Sequence, residues 1–221
     1  MKLNLGDFEA VIFDMDGTMV DNTPFHKKAW IEFCKRRGIE LSEKDYYTKI
    51  SGNRNDAIFE VLFGRRVEGD EYTELDEEKE AIYRELYLPE LEEVPGLKEF
   101  LKQVAHAGLK IGVATTSPYK NRLMILEALE LKEFFAAVIG GEDTKHGKPH
   151  PEIYLKAAEK LGVEPKKCLA FEDTPSGIKS AKGAGMKVVA VLTSHTKEEL
   201  NEADYFIKDF TKIEMFKIIS F

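Results

Sequence analysis

The stretch Glu9-Ala10-Val11-Ile12-Phe13-Asp14-Met15-Asp16-Gly17-Thr18 decides how the rest of the chain is read. Its first half is continuously apolar, without the alternation of a strand that has one wet face. It therefore predicts a short strand buried on both sides, as in a parallel sheet. That strand ends in acid. A carboxylate at the carboxyl end of such a strand stands where open α/β sheets bind ligands. Asp14 takes that place, Asp16 follows two residues on, and Gly17 lets the backbone turn sharply enough for two carboxyl groups and a free carbonyl to converge. A hard cation such as Mg²⁺ prefers oxygen ligands of this kind. A loop of acidic turn residues has the same local look. An EF-hand is excluded, because its glycine belongs at loop position six and Gly17 directly follows Asp16.

Outward from this strand, β-branched apolar runs recur at Lys110–Thr115, Ala137–Ile139, Cys168–Phe171 and Lys187–Leu192, each separated from the next by helical periodicity. Alternation of this kind predicts βαβ units and an α/β fold with a Rossmann-like, doubly wound parallel sheet. Asp21 to about Leu91 breaks the rhythm, with helical patterns and almost no strand signal. It reads as an inserted α-helical domain over residues 22–90, which leaves a discontinuous core of residues 1–21 and 91–221. Pro95-Gly96 marks the return to the core. From Val67 to Glu93 the insert carries twelve acids against only Lys79 and Arg84, which predicts a solvated helix face.

Composition sets the outer limits. A chain of 221 residues, 43% hydrophobic, can fill one sizeable core plus a smaller satellite domain. Lysine and arginine total 32 against 40 acids, and a net charge of −8 argues against nucleic acid as a partner. No run approaches the ~20 apolar residues that cross a membrane, and the amino terminus has neither a basic nor an apolar leader region. The expected location is the cytoplasm, with no membrane partner, and a monomer is compatible with everything read. Cys34 and Cys168 lack CxxC spacing and form no zinc pattern with the five histidines. Both are expected as buried, reduced thiols.

Three later segments place polar groups at the ends of other expected strands. After Lys110–Ala114 come Thr115-Thr116-Ser117-Pro118, where Ser117 can cap a helix that has Pro118 at its first position. Such a helix start binds anions such as phosphate; equally, Thr115 can simply end a strand and Ser117 simply cap. Gly147-Lys148-Pro149-His150-Pro151 places a lysine before two prolines that should keep the chain extended. Its ammonium can serve as a point charge on a phosphoryl oxygen, or be a solvated loop lysine. Finally, Cys168-Leu169-Ala170-Phe171-Glu172-Asp173-Thr174-Pro175 repeats the first arrangement, an apolar run ending in two acids before a Thr-capped, Pro-initiated helix. Glu172 and Asp173 can complete a metal site, and an acid at a helix start also stabilises its dipole.

Together, Asp14-Met15-Asp16-Gly17-Thr18, Thr115, Lys148-Pro149 and Glu172-Asp173 resemble, in order and over nearly the whole chain, the haloacid dehalogenase superfamily of phosphatases and phosphomutases. Within it the chain is most similar to the β-phosphoglucomutase-like group, whose helical cap is inserted just after the first motif. The resemblance implies a Mg²⁺-dependent phosphoryl transfer in which Asp14 becomes an aspartyl phosphate and Asp16 acts as general acid and base. It implies that Asp14, Asp16 through its backbone carbonyl, and Asp173 bind the metal, with Glu172 supporting or joining them. Thr115, Thr116 and Lys148 would neutralise the phosphoryl oxygens, and the cap would close over a small phosphorylated substrate and choose it.

Three cap residues follow from the same comparison. His26, in the first turn of a Thr23-capped, Pro24-initiated helix, matches the mutases' hinge histidine in its distance from Asp14; a histidine packed at a helix start fits as well. Lys79 interrupts the apolar spacing Leu75, Ile82, Leu86, so it either points into a cleft or snorkels from the stripe's edge. Arg54 resembles the arginine that mutases use for a distal phosphate, although it lies one residue closer to Gly52 than that pattern expects, and Pro118-Tyr119 replace a usual lysine and asparagine. The expected reaction is therefore hydrolysis of a sugar phosphate or similar metabolite. β-Phosphoglucomutase is the alternative, with an inorganic pyrophosphatase and a non-catalytic sensor of the same fold behind it.

Overall fold

In the computed structural model, which describes residues 2–50 and 55–216, all the apolar runs become strands of one sheet. In chain order the strands are β1 (Lys2–Asn4), β2 (Ala10–Phe13), β3 (Lys110–Ala114), β4 (Ala137–Ile139), β5 (Cys168–Glu172), β6 (Lys187–Val191), β7 (Tyr205–Ile207) and β8 (Glu214–Phe216). Six of them form a fully parallel sheet in the order β4-β3-β2-β5-β6-β7, and β1 pairs with β8 apart from it. The helices are α1 (Thr23–Arg36), α2 (Glu43–Asp45), α3 (Asn55–Phe63), α4 (Gly69–Tyr87), α5 (Leu97–His106), α6 (Tyr119–Ala128), α7 (Glu152–Leu161) and α8 (Pro175–Gly183). This is the doubly wound α/β architecture that the strand alternation predicts.

The sheet explains the unbroken apolar character of β2, since Ala10, Val11, Ile12 and Phe13 are all wholly buried. Ala10 and Ile12 share one cluster with Ile153, Tyr154 and Ala157 of α7 and Ile178 of α8. Phe13 turns to the other face, as strand geometry requires. There it stacks on Phe171 at 4.9 Å and meets Phe100 of α5 and Phe210 edge-on or tilted at 6.2 and 6.1 Å. Truncating such a ring to alanine costs about 3–5 kcal/mol. The chain runs from β2 to β3 and β4 on one side, then crosses to β5, β6 and β7 on the other. The strand order thus reverses at β2, and ligands of open α/β sheets sit beyond the carboxyl ends at such a point.

The contacts divide the chain into two compact units, Met1–Asp21 with Leu91–Phe221, and Asn22–Glu90. Within the second, α1 and α4 pack along each other through Trp30 and Phe33 on one side and Leu75, Ile82, Tyr83 and Tyr87 on the other. Phe59 of α3 closes this small core, 5.4 Å from the Trp30 ring. The expected stripe is corrected at one position: Leu86 is only half-buried, and Tyr83 and Tyr87 complete the inner face. A second correction concerns the start of α1. Thr23 is its first residue and Asn22 holds the capping position without a side-chain cap bond, its amide nitrogen donating to the Tyr83 hydroxyl at 2.6 Å. The acidic run is not solvated throughout, since Glu80 is buried. Among the described residues no helix is long and apolar enough to cross a membrane, and both cysteines are free, buried thiols.

Candidate active site

The register aligns Phe13 with Val113 of β3 and Phe171 of β5, so the residues that follow each strand emerge at one edge. Asp14 continues the ladder for one more bond, its amide donating to the Phe171 carbonyl at 2.9 Å. The chain then turns in on itself: the Met15 carbonyl accepts from the amides of Thr18, Met19 and Val20, and the Gly17 amide donates to the Val20 carbonyl at 2.7 Å. Gly17 has φ of +78°, and a Cβ there would collide with the Asp173 carboxylate. Only glycine satisfies both demands. Gly17 is thus the residue that lets the loops after β2 and β5 touch.

Around this turn four charged groups converge. The Lys148 ammonium donates to Asp14 Oδ1 and to Glu172 Oε1, each at 2.6 Å. Its side chain is 9% exposed, so it is not the solvated loop lysine. Nor is its loop extended: the Lys148-Pro149 peptide is cis and the His150 amide closes a turn on the Gly147 carbonyl at 3.0 Å. Glu172, wholly buried, also accepts from the Tyr154 hydroxyl at 2.8 Å, from the Asp173 and Thr174 amides, and from the Thr174 hydroxyl. Its carboxylate lies against the first turn of α8, where a Cβ on Gly177 would strike it. Thr174 caps that helix as expected, accepting from the Gly177 amide at 3.1 Å, with Pro175 following. Asp173 is held separately by the Thr18 hydroxyl at 3.3 Å and by the Ser194 hydroxyl, which also reaches the Asp173 carbonyl at 3.0 Å.

Burial and crowding leave their mark on these groups. Burial raises the Asp14 carboxyl well above the usual range; Lys148 opposes the shift, and Glu172, Asp173 and Asp16 add to it. Asp173 is pushed up to about 7, by burial first and by Glu172 next. Burial works against the Lys148 ammonium, yet Asp14 and Glu172 outweigh it and raise its pKa above the ordinary lysine range. Three buried carboxylates thus face one buried ammonium. Oxygens of Asp14, Glu172 and Asp173 lie within 4.8 Å of one another. An all-oxygen donor set with surplus negative charge fits a hard divalent cation, which would relieve the repulsion that raises two of these carboxyls.

The other expected residues fall into three groups. Thr115 is buried at the end of β3, with its hydroxyl accepting from the Ser117 amide at 3.0 Å, whereas Thr116 is exposed beside it. Ser117 does not cap: α6 starts at Tyr119, and Pro118 occupies the capping position without a side-chain bond. Asp16 lies half-buried in the turn after β2. His26 and Lys79 meet within the helical unit, 3.3 Å apart between Nδ1 and Nζ. Lys79 is 2% exposed, so it does not snorkel. Arg54 lies outside the described residues. The sequence reading missed Tyr154, Thr193 and Ser194. The last two sit just past β6, with the Thr193 hydroxyl on the Gly17 carbonyl. The rule that selected polar residues at other strand ends would have found them.

A parallel sheet with a buried cluster of acids and one lysine at its reversal point is suited to hold a cation beside an anionic group. The chain belongs to the haloacid dehalogenase-like hydrolase family, whose model matches residues 11–191. It is similar to the phosphorylated carbohydrates phosphatase of Thermotoga maritima, 35% identical over 183 residues that cover 81% of this chain and 82% of that protein. Among solved structures it resembles a family IA, variant 3 haloacid dehalogenase hydrolase from Entamoeba histolytica, at 32% identity and a TM-score of 0.86 over 93% of this chain and 95% of that one. It also resembles β-phosphoglucomutase from Clostridium difficile, at 29% identity and a TM-score of 0.78 over 93% and 92%. Phosphatases and phosphoglucomutases are thus among its relatives.

Proposed function

We propose that the protein is a Mg²⁺-dependent phosphatase of small phosphorylated metabolites, sugar phosphates foremost, working through an aspartyl phosphate on Asp14. The observation that carries this reading is the buried Asp14 carboxylate at the carboxyl end of the central strand, 2.6 Å from the Lys148 ammonium and grouped with Asp173. An Asp14 oxygen attacks phosphorus as the bond to the leaving oxygen breaks, and Asp16 gives that oxygen its proton. Asp16 then takes a proton from water, whose oxygen attacks the aspartyl phosphate. Inorganic phosphate leaves and the Asp14 carboxylate is restored.

Lys148, Thr115, Thr116 and the amides after β3 face the phosphoryl oxygens in this reading, which suits a reaction governed by positioning and electrostatics. Asp14, the Asp16 carbonyl and Asp173 would hold the Mg²⁺, which when bound supplies positive charge to the phosphoryl group and to the crowded carboxylates. Glu172 already accepts from five donor groups on Lys148, Tyr154, Asp173 and Thr174. It is assigned to holding Lys148 in place and adding charge to the metal site. Substrate choice is assigned to the helical unit, with His26, Lys79 and Arg54 as its selecting residues.

The relative from T. maritima, named for phosphorylated carbohydrates, supports the substrate class. The mutase reading keeps one supporting observation, the buried Lys79 beside His26. A panel of sugar and polyol phosphates, assayed for phosphate release with and without Mg²⁺, tests the proposal. Release that persists in Asp14→Asn would sink it. Conversion of β-glucose 1-phosphate to glucose 6-phosphate with a bisphosphate primer, without phosphate release from any ester, would replace hydrolysis by the mutase reaction.

A further inference from the structure

The loop between β4 and α7 holds a second cluster of potential ligands. His146 and His150 flank Lys148 at two residues on either side, and Glu152 opens α7. The two imidazole rings lie 4.4 Å apart between centroids, His146 Nδ1 is 3.0 Å from Glu152 Oε2, and one donor atom of each of the three lies within 4.8 Å of the others. We infer that His146, His150 and Glu152 form a second metal site, selective for a borderline transition ion such as Zn²⁺ or Co²⁺ and distinct from the carboxylate site of the core.

Donor chemistry separates the two sites. Two imidazoles and one carboxylate match Zn²⁺, Co²⁺ or Ni²⁺, whereas Mg²⁺ seeks an oxygen set. Three protein ligands leave a coordination position for water, and the exposure of both histidines gives an ion direct entry. The carboxylate is prepared for the task. Glu152 accepts from the Lys145 amide at 3.1 Å and the His146 amide at 3.0 Å, outer contacts of the sort that orient metal ligands. Zinc ligands bound at about 2.0–2.2 Å stand closer together than 4.8 Å, so the side chains must draw in by roughly an ångström. An ion seated there takes the place of the hydrogen between His146 Nδ1 and Glu152 Oε2 and ties together the two ends of the segment that presents Lys148.

Equilibrium dialysis against Zn²⁺ with Mg²⁺ in large excess tests this, with Co²⁺ absorption as a spectroscopic readout. Wild-type protein and Asp173→Asn are each expected to bind one Zn²⁺ at this site. In His146→Gln/His150→Gln the affinity should fall by about 100-fold or more, since losing an outer contact alone costs about 10–100-fold. His146→Gln by itself, at an exposed side chain, removes a ligand and should cost at least as much as an outer contact, about 10-fold or more, and leave the circular dichroism and the Mg²⁺-dependent activity unchanged. Zn²⁺ should also slow tryptic cleavage after the exposed Lys145 in the wild type and in Asp173→Asn, but not in the double histidine variant. Equal Zn²⁺ affinity in the double variant, or binding that disappears in Asp173→Asn, overturns the site.

Discussion

Each unit buries a charged cluster, and the two are built to opposite accounts. In the helical unit Lys79 and Glu80 are both buried, and their charged ends meet at 2.6 Å. Successive residues on a helix do not normally face each other. Here the pair is enclosed by the Trp30 ring, 5.3 Å from the ammonium, and by His26 stacked flat on Tyr83 at 4.2 Å. One ammonium faces one fully buried carboxylate, with the half-buried Asp76 bridged to Glu80 through Asn55. In the core, one ammonium answers three carboxylates. A balanced cluster satisfies itself in the folded chain, whereas an overcharged one stores repulsion that something else must relieve. Removing a charge should therefore harm the first and relax the second.

Asp14→Asn gives the largest effect in this contrast. Loss of the proposed nucleophile should lower kcat by about 10⁴-fold or more. Stability in chelator should not fall with it; burial and its acidic neighbours disfavour the ionised Asp14, so the apparent Tm should rise by a few degrees. An unchanged kcat breaks the assignment of Asp14, and a large drop in Tm breaks the picture of stored repulsion.

Glu80→Ala is expected to do the reverse. It strands the Lys79 ammonium in a buried setting, which costs about 3–5 kcal/mol in comparable cases. Denaturant unfolding followed by helical circular dichroism measures it. Lys79→Met/Glu80→Gln removes both charges and should recover most of the loss. If the double variant is as unstable as Glu80→Ala, shape and not charge balance holds this cluster together.

The core's excess charge also predicts a pH signature. Asp173 has a folded pKa of about 7 against an ordinary value of 3.8, so the folded state holds the proton more tightly than the unfolded state. Its contribution to stability is complete below about pH 4 and is lost as pH rises through 7, with Asp14 acting in the same direction. The loss is on the order of a few kcal/mol in metal-free protein. Melting temperature followed from pH 4 to 8 should fall in chelator relative to Mg²⁺, and the gap should widen through that window. A constant gap removes the electrostatic link between these acids and the cation.

Much of the core was legible because its signals are local. Val11-Ile12-Phe13 is buried on both faces and reads so, and Gly17 follows two acids where a sharp turn is needed. β7 was missed because its three residues, Tyr205-Phe206-Ile207, stand between Asp204 and Lys208 and only Ile207 is fully buried. Glu80 was misread because counting acids along α4 cannot show which one turns inward to meet Lys79. Tyr154 looks like an ordinary core residue; only tertiary packing brings its hydroxyl to Glu172. The seat of each cluster could be read from spacing. The balance of charge depended on partners far apart in sequence in the core, and in α4 on which of two neighbouring side chains turned inward.

Ser194→Ala gives the smallest expected change and probes the core cluster most finely. The Ser194 hydroxyl donates to the Asp173 carboxylate and lies 2.8 Å from His195 Nδ1, which itself sits 3.1 Å from the Asp173 carbonyl. Removing the hydroxyl deletes no ligand and no charge, but it frees a carboxylate that must be aimed at the cation. Loss of an outer contact of this kind should weaken the apparent Mg²⁺ affinity by about 10-fold. At saturating Mg²⁺ kcat should return to near the wild-type value, because Asp14, Asp16 and Lys148 are untouched. The Mg²⁺ dependence of phosphate release separates the outcomes. If kcat stays low at saturation, Ser194 acts on the reaction itself. If neither value moves, the Thr18 hydroxyl is sufficient to orient Asp173.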